Sequence, residues 1–347
     1  PDLRLTVLSA NPSQTHAEQG VTAVKRTSLG AVYRAIAEAD LVLSGGGSLL
    51  QDVTSSRSLW YYLGIIALSK LLGKKVMVYA NGVGPIQKTF NQFLTRQVLS
   101  RVDYITVRDR SSLELLHRLG LNHPPMELTA DPVFTLEPVP AEHVTALLAQ
   151  EGLTPAFFEQ EVVGVCLRPW KHEAEIIQAL APVLSELQEG GKGVLLFPMQ
   201  YERDLPVLQR LAAGIRPRPA LLTRHYTARE LLGIVGRCAW VISMRLHALI
   251  FAALNHLPFI GLVYDPKVAA FLEEVEQLSL DLEGLSPASL RRSIARLQRE
   301  RRARTAALKT RVVELKARAG RSADIALALL AADYSADKPG AGRKQGP

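Results

Sequence analysis

Short apolar runs alternate with amphipathic stretches along almost the whole sequence, and this alternation limits what the chain can fold into. "LRLTVLSA", "ADLVLSGGG", "KVMVYANG", "YITVRD" and "MELTAD" read as strands of a first series. "HVTALLAQEGL" reads as a short helix, and "EVVGVCLRP" opens a second series that continues with "GVLLFPMQ", "AWVISM" and "FIGLVYDP". Helical periodicity lies between them. Strands that alternate with helices form parallel sheets covered on both faces. At 347 residues the chain suits two domains. The Pro-dotted stretch Asp131–His143 is the natural boundary, so the expectation is an α/β protein of two Rossmann-like doubly wound domains. They are placed at residues 1–140 and 141–320, followed by a terminal helix and flexible tail at 321–347.

Ligands of open parallel sheets bind outside the carboxyl ends of the strands, and the unusual residues of this sequence fall there. "LVLSGGGSLLQD" leaves a strand into Gly45, Gly46 and Gly47, then Ser48 and Asp52. "VYANGVGP" supplies Asn81, Gly82 and Gly84. "TVRDRSS" supplies Arg108 and Asp109, "GVCLRPWKH" Arg168, Lys171 and His172, "LFPMQYERD" Gln200 and Asp204, and "ISMRLH" Arg245 and His247. The triple glycine lets backbone approach a ligand closely or makes a tight strand–helix turn. Neither GxGxxG nor a P-loop occurs, which counts against dinucleotides and NTP hydrolysis. Asp52 reads either as a carboxylate for a sugar hydroxyl or as a helix-start residue that satisfies backbone N–H groups.

The stretch "VISMRLHALIFAA" places Arg245 and His247 where an apolar strand hands over to an apolar helix. Free N–H groups at a helix start attract anions. The reading is an anion site with a proton donor beside it, against a basic helix start that merely packs. Arg168 follows an apolar strand in the same way. An Arg so placed binds an anionic ligand or pairs with a buried carboxylate. There is no Ser–His–Asp order, no G-x-S-x-G elbow and no His/Asp cluster for a metal.

Net charge is +8, yet the segment Arg291–Arg321 alone carries twelve Lys/Arg against Glu300 and Glu314. The basic character therefore belongs to one helical region, with no RNA-binding signature, so no nucleic-acid partner is expected. No apolar run reaches the roughly 18 residues of a membrane span, and the opening residues read as a short strand and polar loop rather than a signal peptide. Cys166 and Cys238 read as buried thiols in a reducing compartment, which points to the cytoplasm.

Together "SGGGSLLQD", "ANGVGPI", "VRDRSS", "ADPVF", "CLRPW", "PMQYERD" and "SMRLHALIFA" resemble, in order from about Ser44 to Asp265, the polysaccharide pyruvyl transferase family. The nearest resemblance is to the branch that pyruvylates cell-wall polysaccharide for S-layer attachment. The resemblance implies a glycosyltransferase-B-like fold with two domains facing a cleft. It also implies transfer of a pyruvyl group from phosphoenolpyruvate to N-acetylmannosamine, forming a 4,6-ketal and releasing phosphate, with no cofactor. Its R-L-H motif falls on Arg245 and His247 and its L-R-P arginine on Arg168. Family members begin with a strand and an NxGD-type loop; this sequence opens at what reads as their second strand.

On that reading His247 is the general acid/base and Asp52 the hydroxyl-side base. Arg168, Arg245, Gly46, Gly47, Ser48, Asn81, Gly82, Lys171 and Gln200 bind substrate. The acceptor is expected to be a lipid-linked saccharide; the basic helix reads either as a merely solvated face or as one resting on anionic lipid at the inner membrane face. The alternatives are a nucleotide-sugar glycosyltransferase, using Asp204 or Asp265 for ribose, and a non-catalytic binder of anionic wall polymer or membrane.

Overall fold

The computed structural model describes residues 3–53 and 55–336, with side chains as far as residue 331. The sequence reading of a tail after residue 336 lies outside the described residues. The chain divides into two compact units, residues 1–132 with 318–347, and residues 133–317.

Unit 1 runs β1 (Thr6–Ser9), α1 (Pro12–Gln19), β2 (Thr22–Lys25), α2 (Leu29–Glu38), β3 (Leu41–Gly45) and α3 (Ser56–Leu71). It continues with β4 (Lys75–Asn81), α4 (Thr89–Leu99), β5 (Tyr104–Val107), α5 (Arg110–Arg118) and β6 (Met126–Leu128). Strands β1 and β2 form a parallel pair, and β3-β4-β5-β6 form a parallel sheet in chain order. Successive side chains of a strand point to opposite faces. Val76 and Val78 accordingly enter one core, with Leu59, Leu63 and Leu116, while Met77 faces Ile325 and Ala326. Those two residues belong to α12 (Pro287–Ala336), whose last part closes this face. Ser322 Oγ ties it down within 3.1 Å of Thr106 and 3.0 Å of Thr129.

Unit 2 contains α6 (Ala141–Gln150), β7 (Val162–Cys166), α7 (Glu173–Glu189), β8 (Gly193–Leu196), α8 (Tyr201–Ala213), β9 (Ala220–Leu221) and α9 (Ala228–Val235). It then contains β10 (Trp240–Ser243), α10 (Leu246–Leu254), β11 (Phe259–Val263), α11 (Pro266–Glu274), β12 (Leu278–Asp281) and the first part of α12. Its six parallel strands lie in the order β12-β11-β10-β7-β8-β9. Numbered from β7, this is the 3-2-1-4-5-6 order of doubly wound dinucleotide folds. The order reverses between β7 and β10, so the topological switch point lies at their carboxyl ends. Strands β7, β8 and β10 are wholly buried, which is why they read as continuous apolar runs.

The alternation predicted this α/β character. Strands β2, β9 and β12 escaped it, being two to four residues long. The basic run Arg291–Arg321 is helical throughout.

Candidate functional site

At the switch point of unit 2, β7 and β10 pair with Cys166 opposite Ser243, which sets the loop bearing Arg168 beside the one bearing Arg245 and His247. Arg168 is half-buried and reaches past the end of β10 to the end of β11. Its Nη1 donates to Tyr264 Oη at 2.9 Å. The guanidinium carbon lies 4.8 Å from the Tyr264 ring centroid and 5.2 Å from that of Trp170, and the two rings are 4.7 Å apart. Aromatic faces attract a cation and fix its plane. Among the described residues no carboxylate pairs with Arg168, and its buried Nε has no hydrogen-bond partner. A buried donor left without a partner costs about 1–3 kcal/mol, so the site carries an unmet demand for an acceptor.

His247 is the second residue of α10. It is half-buried, while Ala248, Leu249 and Ile250 behind it are fully buried. The neighbouring helix starts carry carboxylates: Asp204 accepts from Met199 N and Gln200 N at α8, and Asp265 from Lys267 N at α11. No side chain caps α10. No carboxylate stands in its first turn either, so this N-terminus favours an anion.

Two sequence expectations require correction here. Arg245 is not the cation without a carboxylate that the sequence suggested. Its Nε and Nη2 face the two oxygens of Asp204 in a buried ion pair within unit 2, so its charge is spent on holding the start of α10 to α8. The fully buried Asp204 is equally committed, and Asp265 caps α11, so neither stands as the ribose carboxylate of a nucleotide-sugar enzyme.

The second correction is Asp52. Its oxygens accept from Gln87 N at 2.9 Å, Lys88 N at 3.1 Å and Asn91 Nδ2 at 2.8 Å. It satisfies backbone N–H groups just ahead of α4, while the helix that follows it in the chain, α3, is capped by Ser55. Burial pushes its carboxyl up, but the Asn91, Gln87 and Lys88 hydrogen bonds and the Lys88 charge outweigh it and hold the group below its ordinary value. A carboxylate stabilised in this way is a poor general base.

At the carboxyl edge of unit 1, Gly46 and Gly47 have φ of +84° and +63°, and a Cβ on either would meet nothing within 4 Å. Backbone conformation demands glycine there, and the loop is exposed. Gly82 packs under it: its N–H donates to Gly47 O at 3.0 Å, and a Cβ would lie 2.7 Å from Ser48 Oγ. Asn81 is fully buried, with Oδ1 accepting from Leu49 N at 3.3 Å. Asn81 and Gly82 therefore shape the loop, and the buried Asn81 Nδ2 has no hydrogen-bond partner. Arg108 pairs with Asp131 and donates to Ser48 Oγ, a link that the two separate motifs did not disclose. Lys171, His172 and Gln200 are exposed, and His172 lies 2.9 Å from Glu175. Cys166 and Cys238 are buried free thiols, and burial pushes Cys238 up to about 12.

The fold is that of the glycosyltransferase-B-like transferases. The chain is similar to HepE of Anabaena solved with UDP-glucose (TM-score 0.58, 14% identity, 95% of this chain and 91% of that one). It is similar also to the wall teichoic acid polymerase TagF soaked with CDPG (0.58, 15%, 98% and 83%) and to a glycosyltransferase of Rickettsia africae (0.60, 11%, 94% and 90%). At such identities the likeness concerns the fold alone. The family model described as polysaccharide pyruvyl transferase matches residues 1–266, and the chain belongs to that family.

Proposed function

We propose that the protein transfers the pyruvyl group of phosphoenolpyruvate to two hydroxyls of a cell-wall polysaccharide sugar, with N-acetylmannosamine on a lipid carrier as the acceptor, in support of S-layer anchoring. The observation that carries the reading is Arg168: a cation without a carboxylate partner among the described residues, clamped by Trp170 and Tyr264, beside the uncapped start of α10. Phosphoenolpyruvate brings a carboxylate and a phosphate, and a guanidinium fork and a helix start suit two such anions.

His247 delivers a proton to the methylene carbon and leaves an oxocarbenium-like centre at C2. A sugar hydroxyl adds there and gives up its proton. The C2–O bond to phosphate then breaks, and the second hydroxyl closes the ketal; one hydroxyl proton replaces the one His247 gave to carbon and the other leaves on the phosphate. The products are one ketal and one inorganic phosphate. An imidazole carries both a proton donor and an acceptor nitrogen, so it can give and take the protons involved. Nothing in these steps calls for a cofactor. The exposed glycine loop of unit 1 is the part we assign to the acceptor, and the two buried thiols suit a cytoplasmic enzyme.

Calorimetric titration with phosphoenolpyruvate tests the donor. The wild-type chain binds it and Arg168→Met does not. Equal binding by both, or binding of a nucleotide sugar instead, contradicts the assignment.

A further inference from the structure

From residue 53 to residue 102 the sequence holds seven Lys or Arg and no Asp or Glu. This stretch forms α3, β4 and α4 of unit 1, and the two helices pack side by side. One side of the pair enters the core through Leu59, Leu63, Ile66, Val98 and Leu99. The other side exposes Trp60 (45%), Leu71 (85%), Phe90 (62%) and Phe93 (58%). Trp60 and Phe90 meet edge to face across the two helices, 6.3 Å between centroids, so the aromatic residues form one patch. Trp60 is fixed in place: its indole N–H donates to Asn91 Oδ1 at 2.8 Å, and Asn91 donates to Asp52. Arg57 and Arg96 are exposed one turn from Trp60 and Phe93, with no carboxylate partner among the described residues. Lys88 completes the rim and donates to Ser56 Oγ at 3.0 Å.

We infer that the α3–α4 face of unit 1 is a docking surface for an anionic lipid bilayer. A contiguous exposed apolar patch marks an interaction site. Aromatic and aliphatic side chains ringed by cations are the composition of a helix pair lying in the headgroup region. Among the described residues no helix is long and apolar enough to cross a membrane, so the contact is peripheral. A second copy of the chain fits less well, because two acid-free cationic faces would oppose each other. Single-stranded nucleic acid stacks on exposed ring faces, whereas Trp60 and Phe90 lie at 88°. The basic run on α12 lacks these features. It contains no aromatic residue, and many of its cations are held by protein groups: Arg291 by Glu186, Arg301 by Glu161, Arg311 by Glu276, Arg321 by Glu127. The inference is independent of the reaction proposed above.

The test is sedimentation of the full chain with phosphatidylcholine vesicles, with and without phosphatidylglycerol, at low and high salt. Binding should require phosphatidylglycerol and weaken with salt. Near-surface cations contribute about 1 kcal/mol each, so Arg57→Gln with Arg96→Gln should weaken it roughly thirty-fold. Phe90→Ser with Phe93→Ser should abolish it while circular dichroism and melting stay unchanged. Vesicles should shift tryptophan emission to the blue in the wild type and not in Trp60→Phe. Arg292→Gln with Arg299→Gln should bind as the wild type does. Four results would each overturn the inference: no vesicle binding by the wild type, unimpaired binding by the Phe90/Phe93 variant, binding lost only on changing α12, or binding of single-stranded RNA or self-association that disappears in the Phe90/Phe93 variant.

Discussion

Arg245 and Asp204 form a two-point ion pair that joins the start of α10 to the first turn of α8, with 12% of the arginine side chain and none of the carboxylate exposed. Asp204 also holds the backbone N–H groups of Met199 and Gln200. Removing either partner leaves a buried charge uncompensated, which costs about 3–5 kcal/mol. Arg245→Ala and Asp204→Ala should each lose stability of that order in urea unfolding. The double variant should lose much less than the two losses added together, because the pair is one unit. Independent, additive losses would mean that the arginine is held by something else.

Arg168 behaves differently because its partners are rings and a hydroxyl. Arg168→Lys keeps the charge and discards the planar fork. The KM for phosphoenolpyruvate should rise by a factor of ten or more, as expected when a charge-assisted hydrogen bond of about 1.5–3 kcal/mol is lost. The melting temperature should hold or rise, since the change removes a buried Nε that has no partner. A large fall in melting temperature with unchanged KM would make Arg168 a packing residue.

Asp52 gives the molecule part of its pH dependence. Its folded pKa lies below the ordinary value, so the unfolded chain binds the proton more readily and stability rises with pH. The contribution is fully present above the unfolded pKa of about 3.9 and is lost as pH falls through the folded value. Asp52→Asn should therefore cost about 0.5–2 kcal/mol at pH 7, the usual range for a lost helix cap. The gap from the wild type should close below about pH 4. A gap that persists in acid would mean that shape rather than charge does the capping.

The strands and the switch-point residues were legible because β7, β8 and β10 are short apolar runs ending in abrupt polarity, and because Arg168 and His247 fall at those ends. Pairing was not legible. Asp204 lies 41 positions before Arg245, and Asn91 lies 39 after Asp52. No local periodicity links residues so far apart, and an arginine at a strand end looks the same whether it awaits a ligand or faces a carboxylate. Tyr264 was missed although it too ends a strand, in "FIGLVYDP"; the strand-end rule picks it out if aromatic residues are admitted beside charged ones. The tie between Arg108 and Asp131 sat in two quoted motifs and needed β5 and β6 to be neighbours.

In the proposed reaction His247 handles the proton while phosphoenolpyruvate gives up its pyruvyl group. The most direct measurement follows phosphate and ketal by phosphorus and proton NMR, with phosphoenolpyruvate, a mannosamine-containing acceptor and no nucleotide, for the wild type and His247→Gln. One phosphate should appear per ketal formed, and His247→Gln should turn over about 10²–10⁴-fold more slowly while still binding phosphoenolpyruvate and melting as the wild type does. Wild-type turnover in His247→Gln, or transfer that consumes a nucleotide sugar and leaves phosphoenolpyruvate untouched, would contradict the account.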